Sequence, residues 1–335
     1  MFSCPPHPGP NLASTAQLGV LGNEDCLYLH VAAPSHCTPD APCPVMFWIY
    51  GGGFLLGDDD EYGFYDPREL ARVHDVVVVA TNYRLGALGF LSVGALQRES
   101  GGTVGNWAML DQRAALRWAS DNLAAFGGDP SQVTIFGQSA GGMSVCWHLA
   151  APGSRGLFAH AIMQSGNCGG PWAFAPLDDS LGHGERVAAE AGCNSTELKT
   201  DAEMLECIRA LPPHAMDTPT SVTGSKEWYS ATLAAFRNIG SPGLPAVSST
   251  GNAQPNAPRQ PHSPPLSPII TFTPTVDGVE LPARPLELLE SGRGNPVPTI
   301  VGNTHDEGTL VSGAGLPQPW PCRDSPSQRP EFESA

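Results

Sequence analysis

The sequence predicts an α/β protein with a mostly parallel central sheet flanked by helices. Three observations carry that expectation. First, Val45–Tyr50 and Val76–Tyr83 are apolar runs without polar alternation, the second with four consecutive valines. Such runs read as strands buried on both faces. Second, Asn106–Phe126 repeats Leu110, Ala114, Ala115, Trp118 and Leu123 at helical spacing and stops at Gly127-Gly128. Third, a strand over Gln132–Gly137, a helix over Ala140–Leu149 and a strand over Ala159–Gln164 follow in order. Strand, helix, strand is the signature of parallel pairing.

The remaining elements are placed in turn. Residues 1–44 read as loop-rich, with one apolar patch over Cys26–Val31. Leu181–Ala191 and Asp201–Leu211 read as helices. Residues 241–270 hold eight prolines among many Ser, Asn and Gln. That stretch buries too little apolar surface to offset its ordering entropy, so it reads as a disordered linker or a surface insertion. Order resumes near Phe272, with a helix over Ala283–Glu290 and a strand over Thr299–Val301. Residues 312–335 read as a polar, Pro-rich tail. The expected organisation is therefore a main domain over 1–240, continued by 271–311.

Composition narrows the function. With 33 Asp and Glu against 17 Lys and Arg, the formal net charge is −16, a field that repels phosphate and argues against nucleic-acid binding. Hydrophobic residues at 41% and charged ones at 15% exclude a disordered acidic chain. No apolar run approaches the roughly 18 residues a membrane-spanning helix needs. The first residues show no basic stretch followed by an apolar one, so no signal peptide is read there. The nine cysteines include no C-x-x-C pair, and no metal or organic cofactor is expected. Cys37 and Cys43 are close enough for a local bridge, and Cys146 reads as a free core thiol. Asn194-Ser195-Thr196 is a glycosylation sequon.

The sharpest chemical signal is Gly137-Gln138-Ser139-Ala140-Gly141, between a predicted strand and a predicted helix. A serine on so tight a turn is forced out at the carboxyl end of the sheet, the nucleophile elbow of α/β-hydrolases. Gly51-Gly52-Gly53 follows another strand. Acyl transfer builds negative charge on a carbonyl oxygen, and glycines let backbone N–H groups approach it unobstructed. The N–H after the nucleophile, on Ala140, is the second expected donor.

These motifs sit within a wider resemblance. Glu24-Asp25-Cys26-Leu27-Tyr28-Leu29, Trp48-Ile49-Tyr50-Gly51-Gly52-Gly53-Phe54 and Asn82-Tyr83-Arg84-Leu85-Gly86 come first. Phe126-Gly127-Gly128-Asp129-Pro130 and Phe136-Gly137-Gln138-Ser139-Ala140-Gly141-Gly142 follow. Pro274-Thr275-Val276-Asp277-Gly278, Ile300-Val301-Gly302-Asn303 and Asp306-Glu307-Gly308 are later anchors. Together they resemble the type-B carboxylesterases, which include the cholinesterases. The resemblance implies the α/β-hydrolase fold, here incomplete at the C-terminus, and hydrolysis of small carboxylic esters through an acyl-enzyme on Ser139. It places the triad acid on Glu307 and the oxyanion hole on Gly52, Gly53 and Ala140. It pairs Cys193 with Cys207, offers Cys4 as a partner for Cys26, and implies an ancestor of the secretory pathway, leaving this chain's own compartment open. Where many relatives carry Glu before the serine, Gln138 stands here, which weakens any expectation of selectivity for cationic esters.

The base is the missing member. Chain order in this fold is serine, acid, histidine. The ten histidines stand at 7, 30, 36, 74, 148, 160, 183, 214, 262 and 305, none beyond Glu307. His305 shares a loop with Glu307, and His148 lies about 13 Å along the helix from Ser139. Both read as ordinary surface or packing residues. The expectation is a chain lacking both ends of the family fold and nearly inactive as it stands. The alternatives are a non-catalytic adhesion or binding module, or a non-functional truncated product.

Overall fold

The computed structural model describes residues 24–60, 63, 65–166, 168–169, 173–193, 197–198, 200–212, 215 and 272–305. Contacts divide the chain into two units, Met1–Ser225 with His262–Thr304, and Lys226–Pro261 with His305–Ala335. All described residues except His305 belong to the first. The Pro-rich stretch over 241–270, the tail over 312–335, Cys4, Asn194 and Glu307 lie outside the described residues.

The strands are β1 (Leu29–Ala32), β2 (Cys43–Ile49), β3 (Val77–Thr81), β4 (Gly128–Gln138), β5 (His160–Gln164), β6 (Ala175–Pro176), β7 (Thr275–Val276) and β8 (Thr299–Gly302). Six of them form one sheet in the order β1-β3-β2-β4-β5-β8. Only β1, at one edge, runs antiparallel to its neighbour. β6 and β7 pair apart from it. The expected α/β class and mostly parallel sheet are thus observed. The absence of alternation in the valine run has the anticipated cause: every residue of β3 is buried.

The helices are α1 (Pro67–His74), α2 (Gly86–Phe90), α3 (Gly94–Glu99), α4 (Trp107–Asn122), α5 (Ala140–Ala150), α6 (Leu177–Glu190), α7 (Asp201–Ala210) and α8 (Pro285–Glu290). The sequence reading missed α1 to α3. The first is a single amphipathic piece opened by Asp66, whose carboxylate accepts the Arg68 N–H ahead of Pro67. The other two begin at glycine with no side-chain cap, so nothing local announces them. The long helix predicted to Phe126 tightens at Leu123 into a 3-10 turn that Gly127 ends in the left-handed region, at φ 74°. The helix predicted from Leu181 starts earlier, because Asp178 and Asp179 suit the positive end of its dipole. Strand β4 begins at Gly128 rather than Gln132, where it continues as a partner of Cys43.

Helix α5 is buried along its whole length, so its small residues are a packing requirement. Cys146 on it is not the free thiol expected. It is bonded to Cys168, 22 residues on, because β5 returns the chain alongside β4 and lays its exit loop against α5. Cys37–Cys43 and Cys193–Cys207 are bonded as anticipated.

Beneath α5 lies a closed polar chain. The Ser154 hydroxyl meets His148 Nδ1 at 2.8 Å, and His148 Nε2 lies 3.1 Å from Gln112 Oε1. A carbonyl oxygen only accepts, so Nε2 carries the proton and Nδ1 accepts from Ser154. The Gln112 amide then donates to Ser144 Oγ at 3.1 Å, and Ser144 donates to the Ala140 carbonyl at 3.0 Å. A neutral imidazole satisfies both ring nitrogens in this chain. Burial, reinforced by Arg113, holds the His148 pKa down at about 3. His148 is therefore the packing histidine expected from its position.

His183, edge-on to Phe272, is lowered by burial and then by Arg186 to about 4. Both histidines are neutral in the fold but take up a proton near pH 6.5 once unfolded. The unfolded chain then binds more protons, so stability falls as pH drops below about 6.5 and keeps falling towards the folded values. Guanidinium unfolding at pH 7 and pH 5 should differ by on the order of 2 kcal/mol for each histidine. His183→Gln should remove its share, whereas an equal loss in that variant would assign the effect to other groups.

Candidate active site

The sheet order itself marks a site. The connection leaving β2 runs to β3 on one side, whereas the connection leaving β4 runs to β5 on the other. In open α/β sheets ligands bind at the carboxyl ends of strands where the order reverses in this way. Here β2 delivers Gly51-Gly52-Gly53 and β4 delivers Ser139, the two motifs singled out from the sequence.

Ser139 occupies a conformation few residues adopt, φ 57° and ψ −121°, and stands at the N-cap of α5 without a side-chain capping hydrogen bond. Such backbone costs on the order of 1–3 kcal/mol and persists only where surroundings over-determine it. Two backbone hydrogen bonds do so. The Ser139 N–H donates to the Gln164 carbonyl at 2.8 Å, and its carbonyl accepts from Met143 N at 3.0 Å. Glycine contacts fix the rest. A Cβ on Gly141 would lie 2.0 Å from the Ile49 carbonyl oxygen, and one on Gly137 would lie 2.5 Å from the Gly141 oxygen. No side chain fits at either place, so the strand-to-helix turn stays sharp.

The glycine loop meets this turn directly. A Cβ on Gly51 would stand 3.2 Å from Ser139 Cβ. Gly52, at φ 104°, turns so closely that a Cβ would sit 2.1 Å from the Leu56 oxygen. Phe54, a non-glycine at φ 61°, is fully buried, packs on Phe90 with centroids 5.0 Å apart, and accepts the Gly86 N–H at 2.8 Å. Tyr50 and Tyr83 stack at 4.3 Å, each hydroxyl donating to the other's carbonyl, at 3.2 and 2.7 Å. Arg84 grips Asp111 with Nε at 2.8 Å and Nη2 at 2.7 Å. The tyrosine pair joins the ends of β2 and β3, and the Arg84–Asp111 fork ties the exit of β3 to α4.

The arrangement is a half-buried serine on strained backbone beside Gly51 of the glycine loop, with buried Ala140 at the start of α5. The helix start adds its own partial positive charge. Gln138, next to the serine, is exposed and neutral.

Other residues in the quoted motifs are structural. Asp277 is buried, and its Oδ1 accepts the N–H groups of Val279, Glu280 and Leu281. Asn106 donates to its Oδ2 at 3.0 Å and to the Thr275 carbonyl at 2.8 Å. The sequence gave no local sign of the tyrosine pair, whose members are 33 residues apart, nor of the polar chain ending at Ala140. Among the described residues, His36, Cys37 and Cys43 come close enough to suit a metal ion, but the two sulfurs are bonded to each other.

Comparison with known proteins follows the same lines. The family model described as the carboxylesterase family matches residues 3–329. "Cholinesterase 1" of Branchiostoma lanceolatum is 35% identical over 295 residues, 88% of this chain and 70% of that protein. "Acetylcholinesterase" of Leptinotarsa decemlineata is 34% identical over 299 residues, 86% of this chain but only 41% of that protein.

The strain at residue 139 has a measurable consequence. Ser139→Gly should raise the unfolding free energy by about 1 kcal/mol, since glycine tolerates positive φ, while Ser139→Ala leaves it nearly unchanged. Gly141→Ala should lower it by about 3 kcal/mol through the clash with Ile49. Urea titrations of the three variants decide this, and a destabilised Ser139→Gly would show the turn to be unstrained.

Proposed function

Since this chain belongs to the carboxylesterase family, an α/β-hydrolase family, we propose that it is built to hydrolyse small carboxylic esters through an acyl-enzyme on Ser139. The observation that carries the reading is the strained serine standing at the reversal of strand order, against a braced glycine loop. In the proposed reaction Ser139 Oγ attacks the ester carbonyl and loses its proton to a base. The N–H groups of Gly52, Gly53 and Ala140 take up the negative charge that forms on the carbonyl oxygen, where one such donor is typically worth about 10²–10³ in rate. Collapse expels the alcohol, which receives the proton, and water then releases the acid. Glu307 is the proposed partner that orients the base.

Within these 335 residues no histidine follows Glu307. On the proposed chain order the base would come from outside this stretch. The 335 residues alone should then retain only what binding and the oxyanion hole supply, about 10³–10⁴-fold over water in other serine hydrolases deprived of triad members. The same observation supports a second reading, a non-catalytic binding module that keeps the fold. Gln138 weakens any expectation of selectivity for cationic esters, because the residue beside the serine carries no charge. Among the described residues no helix is long and apolar enough to cross a membrane. Three bonded cysteine pairs favour an oxidising compartment.

A fluorophosphonate probe tests the reading, because it reports nucleophilicity without needing turnover. Without its base the purified chain should be labelled far more slowly than a complete triad enzyme, over a long incubation with excess probe, but at Ser139 alone, and Ser139→Ala should not react. Gly53→Ala should slow labelling at least about tenfold, because no atom lies within 4 Å of the added Cβ but alanine is strained at φ 63° and shifts the amide from its place. No labelling of the folded chain would favour the binding module. Normal enzymatic turnover of p-nitrophenyl acetate, abolished by Ser139→Ala, would show that a base is present after all.

A further inference from the structure

We propose that the Cys146–Cys168 disulfide is a redox-sensitive strap that positions Ser139: oxidised, it holds the elbow ready to react, and reduced, it releases it. The inference rests on the reading of Ser139 as the nucleophile.

The strap closes a short circuit around the serine. Cys146 is fully buried on α5, two turns beyond Ser139, and its partner Cys168 lies half-buried just past β5. Between β5 and Cys168 the chain touches the elbow twice. Gln164 accepts the Ser139 N–H, and Gly166 presses on Gly142, where an added Cβ would come within 2.7 Å of the Gly142 Cα. Ser165 sits in the left-handed region, at φ 49°, with its N–H on the Gly302 carbonyl at 2.8 Å.

The far side of this circuit is weak. Gly302 ends β8, whose four residues are all exposed, with Ile300 at 65% and Val301 at 62%. A strand so poorly covered opens readily, because few apolar contacts resist it. The covalent bond to buried Cys146 is therefore the firm anchor for Ser165, Gly166 and Cys168. With the bond broken, Gly166 is free to lift from Gly142 and Gln164 to leave the Ser139 N–H. The serine backbone then relaxes away from its unfavourable conformation. The other two disulfides have no such position: one closes the loop before β2 and the other joins α6 to α7.

Reduction follows ordinary thiol–disulfide exchange. A dithiol's thiolate attacks Cys168 Sγ, the more accessible sulfur, and Cys146 leaves as a thiolate that takes up a proton. The reductant's second thiol displaces Cys168 from the mixed disulfide. Two electrons pass to the protein, and the dithiol becomes a cyclic disulfide.

The test compares three states of the purified chain: oxidised, reduced with dithiothreitol under native conditions, and the Cys146→Ala/Cys168→Ala variant. Fluorophosphonate labelling of Ser139 is followed by intact mass and normalised to folded protein by circular dichroism. Hydrogen exchange is measured on peptides covering 136–143. We expect labelling to slow at least tenfold in the reduced and double-variant chains and to recover on reoxidation. Amides 139–143 should exchange faster in both. Cys37→Ala/Cys43→Ala should label as the unaltered chain does. Equal labelling and equal exchange in oxidised and reduced folded chains would overturn the strap while leaving the nucleophile in place. An oxidised chain that does not label at all would overturn the nucleophile reading, and the strap with it. Should the double variant fail to fold, exchange in the reduced unaltered chain decides alone.

Discussion

The close approach of two backbones, at Gly141 against the Ile49 carbonyl, is the constraint on which the rest depends. It lets α5 begin within contact of β2, which bends β4 into α5 so tightly that Ser139 has no ordinary backbone conformation left. The strain is sustained from several sides: the Gln164 carbonyl, the first turn of α5 and the glycine contacts around Gly137. A serine so held presents its hydroxyl rather than burying it, and little reorganisation remains when an ester arrives.

The same geometry explains why the site is built from three strand ends rather than one loop. Reversal of strand order opens a crevice between β2 and β4. The tyrosine pair at 50 and 83 ties the start of the glycine loop to the end of β3, and the Arg84–Asp111 fork ties that end to α4. The buried chain from Ser154 through His148 to Ala140 secures α5 from below. Each brace satisfies its own buried donors, so rigidity is gained without leaving a polar atom stranded. Neutral His148 makes this brace sensitive to acid, because burial disfavours its charged form.

Much of this was legible in the sequence. The strands β2 and β3 follow from unbroken apolar runs, β4 from the short strand read over Gln132–Gly137, and the small residues from Ala140 onward announce a helix that must pack tightly. The turn at Ser139 follows from its flanking glycines, whose absent side chains are required by backbone at 2.0 to 2.7 Å. What was not legible depends on long-range closure. The Cys146–Cys168 bond forms because β5 lies beside β4, and no local pattern around either cysteine records that pairing. The tyrosine pair is hidden for the same reason. Helices α2 and α3 escaped because tertiary packing, not capping or periodicity, sustains them. Glu307 remains an expectation from resemblance and Asn194 one from its sequon, since both lie outside the described residues.

The central claim is that the hydroxyl of residue 139 and the neighbouring amides share one reacting centre. The most direct measurement is a crystal structure of the chain after reaction with a small fluorophosphonate. The account predicts phosphorus bonded to Ser139 Oγ, with the phosphoryl oxygen about 2.7–3.1 Å from the amide nitrogens of Gly52, Gly53 and Ala140. An adduct on another residue, or a phosphoryl oxygen turned to solvent away from those amides, would contradict it.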